Sequence, residues 1–378
     1  MINARRAALV TVPVALLLPL AGCSRQEQAS GGSAAIAVQA SDTECSLART
    51  EADAGTITFE VTNKGSKVTE FYLYGEGDRI VGEVENIGPG VTRRLIVEVP
   101  AGGSYTAACK PGMQGDGIRT AFAVKGNAAS SKDTDAKLAE ATASYHRYVT
   151  EQADVLIAKT TEFVAAVKAG KVDEAKALFP VARTPWERIE PVAESFGDID
   201  PKIDGREDVI EEGMEFTGFH RLERDLWQNG LQPDSAAIAD RLLADVTELV
   251  AKAKTVELTP LQLANGAKEL LDEVATGKIT GEEDRYSHTD LWDFEANVDG
   301  SKAAIDALRA VITERDGALM TTLDQRFEAV DTLLGTHRSG DGFRPFTELS
   351  QDEVKKLAEA VDALGEPLSQ VAGVVAAQ

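Results

Sequence analysis

The chain has 378 residues, 43% of them hydrophobic, and a formal charge of −23 at pH 7. This length and apolar content are enough for two domains, each with its own core. The strong acidity argues against nucleic acid as a partner and would attract cations, although on charge alone simple solubility is the better explanation.

Residues 1–22 are predicted to be an export signal. Two arginines, Arg5 and Arg6, precede an apolar run that is too short to cross a bilayer as a stable helix and that ends in small residues. The sequence leaves open whether export uses the general or the twin-arginine route.

The signal ends in LAGC, which is typical of a bacterial lipobox. Cleavage there would leave a lipid-modified Cys23 as the new N-terminus, and residues 23–33 are small and polar, as a flexible tether should be. We therefore expect a lipid-anchored protein outside the cytoplasm, on the periplasmic or cell-surface side. The alternative is an ordinary cleavable signal with a chance cysteine.

Residues 34–126 show the pattern of a β-sandwich. Ile57, Phe59 and Val61 share one face of a strand, and similar runs recur between turn signals: TITFEVTN, EFYLYG, RLIVEVP, SYTAAC and TAFAV. Short alternating strands at this spacing predict an antiparallel, all-β sandwich. A polar stretch without periodicity follows, and residues 127–136 are predicted to be a linker.

Residues 137–378 have a helical period instead. Apolar residues recur at intervals of three and four in successive runs such as SAAIADRLLADVTELVAKAK, GSKAAIDALRAVITER and DEVKKLAEAVDALGEPL. The second domain is therefore predicted to be an all-α helical bundle.

One helical stretch of this bundle, GFHRLERDLW, carries chemistry on its buried side. At about 100° per residue, Phe216, His220, Glu223 and Trp227 fall on one stripe, so the imidazole and the carboxylate both face inward. A buried carboxylate needs hydrogen bonds, a cationic neighbour or a metal, and His220 and Glu223 at i and i+3 can reach the same ion. A purely structural His–Glu pair is the alternative.

Acidic residues are concentrated just upstream of this stretch. They follow helical spacing and then crowd the next loop, at Glu187, Glu190, Glu194, Asp198, Asp200 and Asp204. So many carboxylates near an inward histidine favour a cation, although some would simply form a solvated helix face.

Three blocks, PWERIEPVAESFGDIDPKID, EFTGFHRLE and GEEDRYSHTDLWDFEANVDG, resemble the imelysin-like domain of EfeM/EfeO-family proteins. These are extracytoplasmic iron-binding components of bacterial ferrous iron uptake systems. The resemblance implies that the family's HxxE motif is His220 and Glu223, that Glu190 is a further metal ligand, and that Glu187 and Asp204 are companions. It also implies a membrane iron permease and a haem-containing peroxidase as partners.

The third block contains His288. We expect it to support the site or to cap a helix through Ser287 and Thr289, and not to bind the ion itself.

The sandwich resembles the cupredoxin-like domain of the same family, through DTEC, TEF, VENIGPG and YTAAC. These pieces supply Cys45, Glu70, Glu85 and Cys109. The domain has no histidine, which argues against a type 1 copper centre. The two cysteines either form a disulfide or bind a metal beside Glu70, Glu85 or Met113.

These observations together predict a lipid-anchored protein that captures iron, as Fe2+ or Fe3+, and passes it to the permease. Such a mixed site could also take Cu2+ or Zn2+. The alternatives are a metallopeptidase and a binding protein for a non-metal ligand such as an acidic polysaccharide. We do not expect an enzyme, because Arg224 stands where an inverted zincin motif needs its second histidine, and neither HExxH nor GxSxG is present.

Overall fold

The structure is a computed structural model that describes residues 34–196, 199–208, 210 and 214–377. The predicted export signal, Cys23, the tether and Asp198 lie outside this range. Within it, no helix combines the length and the apolar character needed to cross a membrane.

Before its first α-helix, the described chain forms nine strands. They are β1 (Ile36–Ala40), β2 (Cys45–Leu47), β3 (Glu51–Asp53), β4 (Gly55–Asn63), β5 (Thr69–Tyr74), β6 (Ile80–Ile87), β7 (Thr92–Val99), β8 (Ala101–Pro111) and β9 (Ile118–Asn127). They make two sheets with the orders β2-β1-β4-β7 and β3-β9-β8-β5-β6. The sandwich prediction is confirmed, but β1 pairs with β4, and β3 with β9, in parallel, so the sheets are not purely antiparallel.

The sandwich core lies between the sheets. Ile57, Phe59 and Val61 of β4 are at most 1% exposed, while their neighbours in sequence are not fully buried, as the alternation predicts. The Phe59 ring packs against Phe71 and Phe122 of the other sheet, with ring centroids 5.1 and 5.4 Å apart. These aromatic contacts join the two layers.

The rest of the described chain is mainly helical. Its helices are α1 (Ser131–Thr134), α2 (Ala136–Lys168), α3 (Val172–Glu187), α4 (Glu190–Glu194), α5 (Asp200–Asp204), α6 (Gly218–Arg224), α7 (Ser235–Ala253), α8 (Pro260–Thr276), α9 (Asp290–Arg315), α10 (Gly317–Gly335) and α11 (Gln351–Ala376). A short hairpin precedes α11, and its strands β10 (Arg338–Ser339) and β11 (Gly342–Phe343) have two residues each. This all-β then all-α organisation is the predicted one.

The sandwich and the bundle are in direct contact. Residues 127–136, predicted as a linker, contain the single turn α1, and Glu98 of β7 accepts the Ser131 backbone N–H at 2.8 Å. Helix α8 lies against β6 and β7, where the Asn265 amide Nδ2 donates to the Ile96 carbonyl at 3.1 Å. Residues of both domains can therefore line a common cleft.

Candidate metal centre

Helix α6 is placed by a glycine. Gly218 opens the helix with φ +79°, and a Cβ on it would lie 2.1 Å from the Ile203 carbonyl oxygen at the end of α5. Only glycine allows both the backbone conformation and this close approach. As a result the first turn of α6, with His220, is pressed against the last turn of α5, with Asp204.

The helix is shorter than the predicted stripe. It spans only Gly218–Arg224, so Phe216 precedes it, and Trp227 lies in the π-helical turn Asp225–Asn229 that follows. The prediction of one continuous helical stripe was wrong at its N-terminal end. At its C-terminal end the chain continues as a π-helix, and the Trp227 ring packs against Phe179 with centroids 5.5 Å apart. His220 and Glu223 are nevertheless 1% and 0% exposed. Their inward placement is confirmed.

One nitrogen of the His220 ring is fixed by Glu223. Nδ1 lies 3.0 Å from Glu223 Oε2. The other oxygen, Oε1, accepts the Tyr286 N–H at 3.0 Å, the Ser287 N–H at 2.7 Å and the Ser287 hydroxyl at 2.9 Å. With four hydrogen bonds, Glu223 has little remaining capacity to bind an ion, and its geometry favours the His220 tautomer with the proton on Nδ1.

The opposite ring nitrogen, Nε2, is buried and makes no hydrogen bond. Its nearest carboxylate oxygens are Asp204 Oδ1 and Glu283 Oε1, each 3.5 Å away. These three atoms form one of two groups in the described chain that are compact enough for a metal; the other combines His220 with Glu223 and Asp284. Two ligands about 2.1 Å from one ion would be separated by roughly this distance. Asp204 Oδ1 and Glu283 Oε1 also accept hydrogen bonds from the Arg183 guanidinium, but Nε2 makes none, whereas Nδ1 is already bonded to Glu223. The Nε2 group is therefore the better metal site.

A fully buried arginine stands behind this group. The Arg183 guanidinium of α3 lies within ion-pair distance of five carboxylates, those of Glu187, Asp204, Glu283, Asp284 and Asp293. Burial raises the pKa of Asp284 to about 8 and that of Asp293 well above its ordinary value, so these two carboxyls keep their protons at neutral pH. Lys278 lies against Glu187, and Arg206 lies against Glu283. A metal ion at this site would therefore compete with positive charges that are already in place.

The same charges act on the histidine. Burial and the Arg183 guanidinium lower the pKa of His220, but Asp204, Glu223 and Glu283 outweigh them and raise it to about 10. Without metal, the imidazole therefore carries a second proton at neutral pH. A cation that binds Nε2 must replace that proton, so binding should release it.

The site opens into a cleft between the two domains. Asp204 and Glu283 line it from the bundle side, and Glu85 and Met113 line it from the sandwich. The cleft gives an ion a path to the carboxylate edge of the site.

Residues 141–371 match the imelysin family, and residues 13–124 match the cupredoxin-like domain. The chain is 36% identical over 350 residues to the "Iron uptake system component EfeO" of Escherichia coli O157:H7, covering 90% of this chain and 91% of the relative. The same identity and coverage hold for the proteins of that name from E. coli K12 and Shigella flexneri. The chain belongs to the EfeO family. The match to a solved structure of an iron-regulated protein A precursor from Parabacteroides distasonis covers 63% of this chain and 95% of that chain, at 15% identity and a TM-score of 0.47. The family assignment does not rest on this match.

In this EfeO-family protein, Glu187 and Glu190 do not join the His220 group. The buried Lys278 ammonium lies 2.5 Å from Glu187 Oε2 and 2.9 Å from Glu190 Oε2, and the Asn297 amide donates to both carboxylates at 3.2 Å. The two compact groups of the described chain include neither acid. Of the upstream acids expected as ligands or companions, the structure brings only Asp204 to the histidine.

The four sandwich residues of the EfeO-family protein do not form one site. Cys45 of β2 and Cys109 of β8 are joined in a disulfide between the two sheets. Cys109 pairs with Phe71 across β8 and β5 and faces the core, so Glu70, the next residue along β5, faces the other way. Glu70 and Glu85 instead share the Tyr72 hydroxyl, at 3.1 and 3.2 Å. Of the two alternatives, the structure has the disulfide and not the metal site, because the sulfur atoms and the carboxylates lie on opposite faces of the sheet.

The EfeO-family site also contains residues that sequence reasoning missed. Glu283 and Asp284 come from the third block of resemblance, in the loop before α9, where three consecutive acids, from Glu282 to Asp284, were the available signal. His288 has φ +60° in this loop, and its backbone N–H donates to the Asp284 carbonyl at 2.7 Å, but neither compact group of the described residues includes it. Its neighbour Ser287 makes the supporting contact, to Glu223.

Proposed function

We propose that this protein is the iron-binding component of a bacterial ferrous iron uptake system and that it binds iron through its helical domain. Membership of the EfeO family supports the iron uptake role. The observation that carries the ligand assignment is the buried Nε2 of His220, which makes no hydrogen bond and faces Asp204 Oδ1 and Glu283 Oε1 at 3.5 Å while Nδ1 is bonded to Glu223.

In this proposal His220, Asp204 and Glu283 are the ligands, and Glu223 orients the imidazole. One imidazole and two carboxylates suit iron in either oxidation state and also accept Cu2+ or Zn2+. Iron is the cargo here. Because the ion takes the place of a proton on His220, protonation of His220 can release the ion again, as a carrier requires.

We further propose that the protein is anchored outside the cytoplasm by lipid on Cys23 and delivers iron to a membrane permease, with a haem-containing peroxidase in the same system. The family relationship supports the system, and the LAGC sequence supports the anchor. The cleft supports exchange, because it reaches the two carboxylate ligands directly.

Titration calorimetry with Mn2+, and with Fe2+ under anaerobic conditions, tests the ligand set. His220→Ala, Asp204→Asn and Glu283→Gln should each remove tight binding, and the bound metal should raise the melting temperature of the wild type only. Asp208→Asn is the matched control, since this acid bonds Arg285 on the exposed side of the same region. Binding unchanged in all three ligand variants would refute the site, and chelator-sensitive proteolysis by the purified protein would support the peptidase alternative.

A further inference from the structure

Among the described residues, the cations Arg183, Lys278 and Arg206 have carboxylate partners in or beside the metal group, and their side chains differ in exposure. Arg183 and Lys278 are 0% and 3% exposed, and each lies within ion-pair distance of at least three carboxylates. Arg206 follows α5, its side chain is 21% exposed, and its described ion pair is with Glu283. Of these three cations, Arg206 therefore has the side chain that can move most easily.

Arg206 shares a carboxylate with the metal group. Its Nη1 lies 3.1 Å from Glu283 Oε2, while the other oxygen, Oε1, lies 3.5 Å from His220 Nε2. Arg206 also lines the interdomain cleft together with Glu283. An ion bound to Glu283 Oε1 would therefore be separated from the positively charged Arg206 guanidinium only by the Glu283 carboxylate. This guanidinium lies on the side of the site that faces the cleft.

We propose that Arg206 is an exchangeable counter-cation of Glu283 that weakens metal binding and speeds release into the cleft. This inference rests on the proposed function. The guanidinium repels the bound ion and withdraws negative charge from Glu283, and both effects favour dissociation. When the ion leaves, Arg206 remains on Glu283 Oε2, while Arg183 and His220 face Oε1, so both oxygens of this buried carboxylate keep a cationic neighbour.

The main alternative is that Arg206 only positions Glu283 for the metal. The two roles have opposite signs, because loss of a positioning group weakens binding and loss of a competing cation strengthens it. Metal affinity and dissociation rate therefore separate them without reference to activity.

The experiment compares wild type, Arg206→Gln and Arg206→Lys in the full chain, loaded with Mn2+ and chased with excess chelator. We expect Arg206→Gln to bind about tenfold more tightly and to release the ion about tenfold more slowly, while Arg206→Lys, which keeps the charge, stays close to wild type. Arg285→Gln is the matched control. It removes the same charge from the same region, but its carboxylate is Asp208, which is not a ligand.

Equal or faster release from Arg206→Gln would overturn the inference, and weaker binding would assign Arg206 a positioning role. An equal gain in affinity in Arg285→Gln would also overturn it, because the effect would then be one of general charge. Arg206→Met gives a second neutral variant if circular dichroism shows that Arg206→Gln is misfolded. Absence of metal binding by the wild type would instead defeat the proposed function.

Discussion

Glu223→Gln is the change that best tests how the HxxE pair works. The substitution keeps the size of the side chain but replaces one of its two acceptor oxygens by an NH2 group. The backbone N–H groups of Tyr286 and Ser287 are fixed in position at Oε1, so the remaining amide oxygen should turn toward them. The NH2 group then faces His220 Nδ1 and forces it to accept a hydrogen bond.

The neutral imidazole would then carry its proton on Nε2, where the metal should bind. Loss of a group that orients a metal-bound histidine typically costs 10–100-fold in affinity, or about 1.4–2.7 kcal/mol. We therefore expect Glu223→Gln to weaken metal binding by this amount, and His220→Ala to abolish it. If Glu223 were itself a ligand, the two variants would be equally defective.

Calorimetric titration gives the affinities, and nitrogen NMR of the Zn2+-loaded protein shows which ring nitrogen carries the proton. Glu207→Gln is a suitable control, because Glu207 accepts the Tyr286 hydroxyl at 2.7 Å on the exposed side of the same loop. Complete loss of binding in Glu223→Gln, together with intact binding in Glu283→Gln, would refute the assignment.

The other predictions concern the anchor and the sandwich. Cys23→Ala should move the protein from membranes to the soluble fraction, and unchanged membrane association would contradict the lipid anchor. The Cys45–Cys109 disulfide joins residues 64 positions apart, and its reduction should lower the free energy of unfolding by about 4 kcal/mol in denaturant titrations. Equal unfolding midpoints with and without reductant would contradict a stabilising disulfide. Burial, with Glu70 and Asp272, raises the pKa of Glu85 from 4.5 to about 8. Between about pH 4.5 and 8, the Glu85 carboxyl therefore keeps its proton in the folded state but has lost it in the unfolded state. The free energy of unfolding should fall as the pH rises through this range. Thermal melts should show a shallower fall for Glu85→Gln, and a wild-type slope of opposite sign would disprove the reasoning.

The order of the domains could be predicted from sequence because the hydrophobic period changes from two to about 3.6 between them. The burial of His220 and Glu223 could be predicted for the same reason. Their separate roles could not, since these depend on Ser287 and Tyr286, more than 60 residues away along the chain.

The upstream acids show a different limit. Glu187 and Glu190 have the residue type of ligands, but Lys278 lies against both. Lysine and arginine are rarely fully buried, so nothing in the sequence marks Lys278 or Arg183 as interior cations. Without them, carboxylates that bind a metal cannot be distinguished from carboxylates that are already neutralised.

The interdomain cleft affects how this protein should be studied. A truncated helical domain would retain all three proposed ligands, but it would lack the wall that carries Glu85 and Met113. Its equilibrium affinity for a metal could match that of the whole chain while the ion entered and left through a wider opening. Exchange rates measured on such a fragment would then describe a different molecule, and agreement between the two dissociation constants would hide the difference.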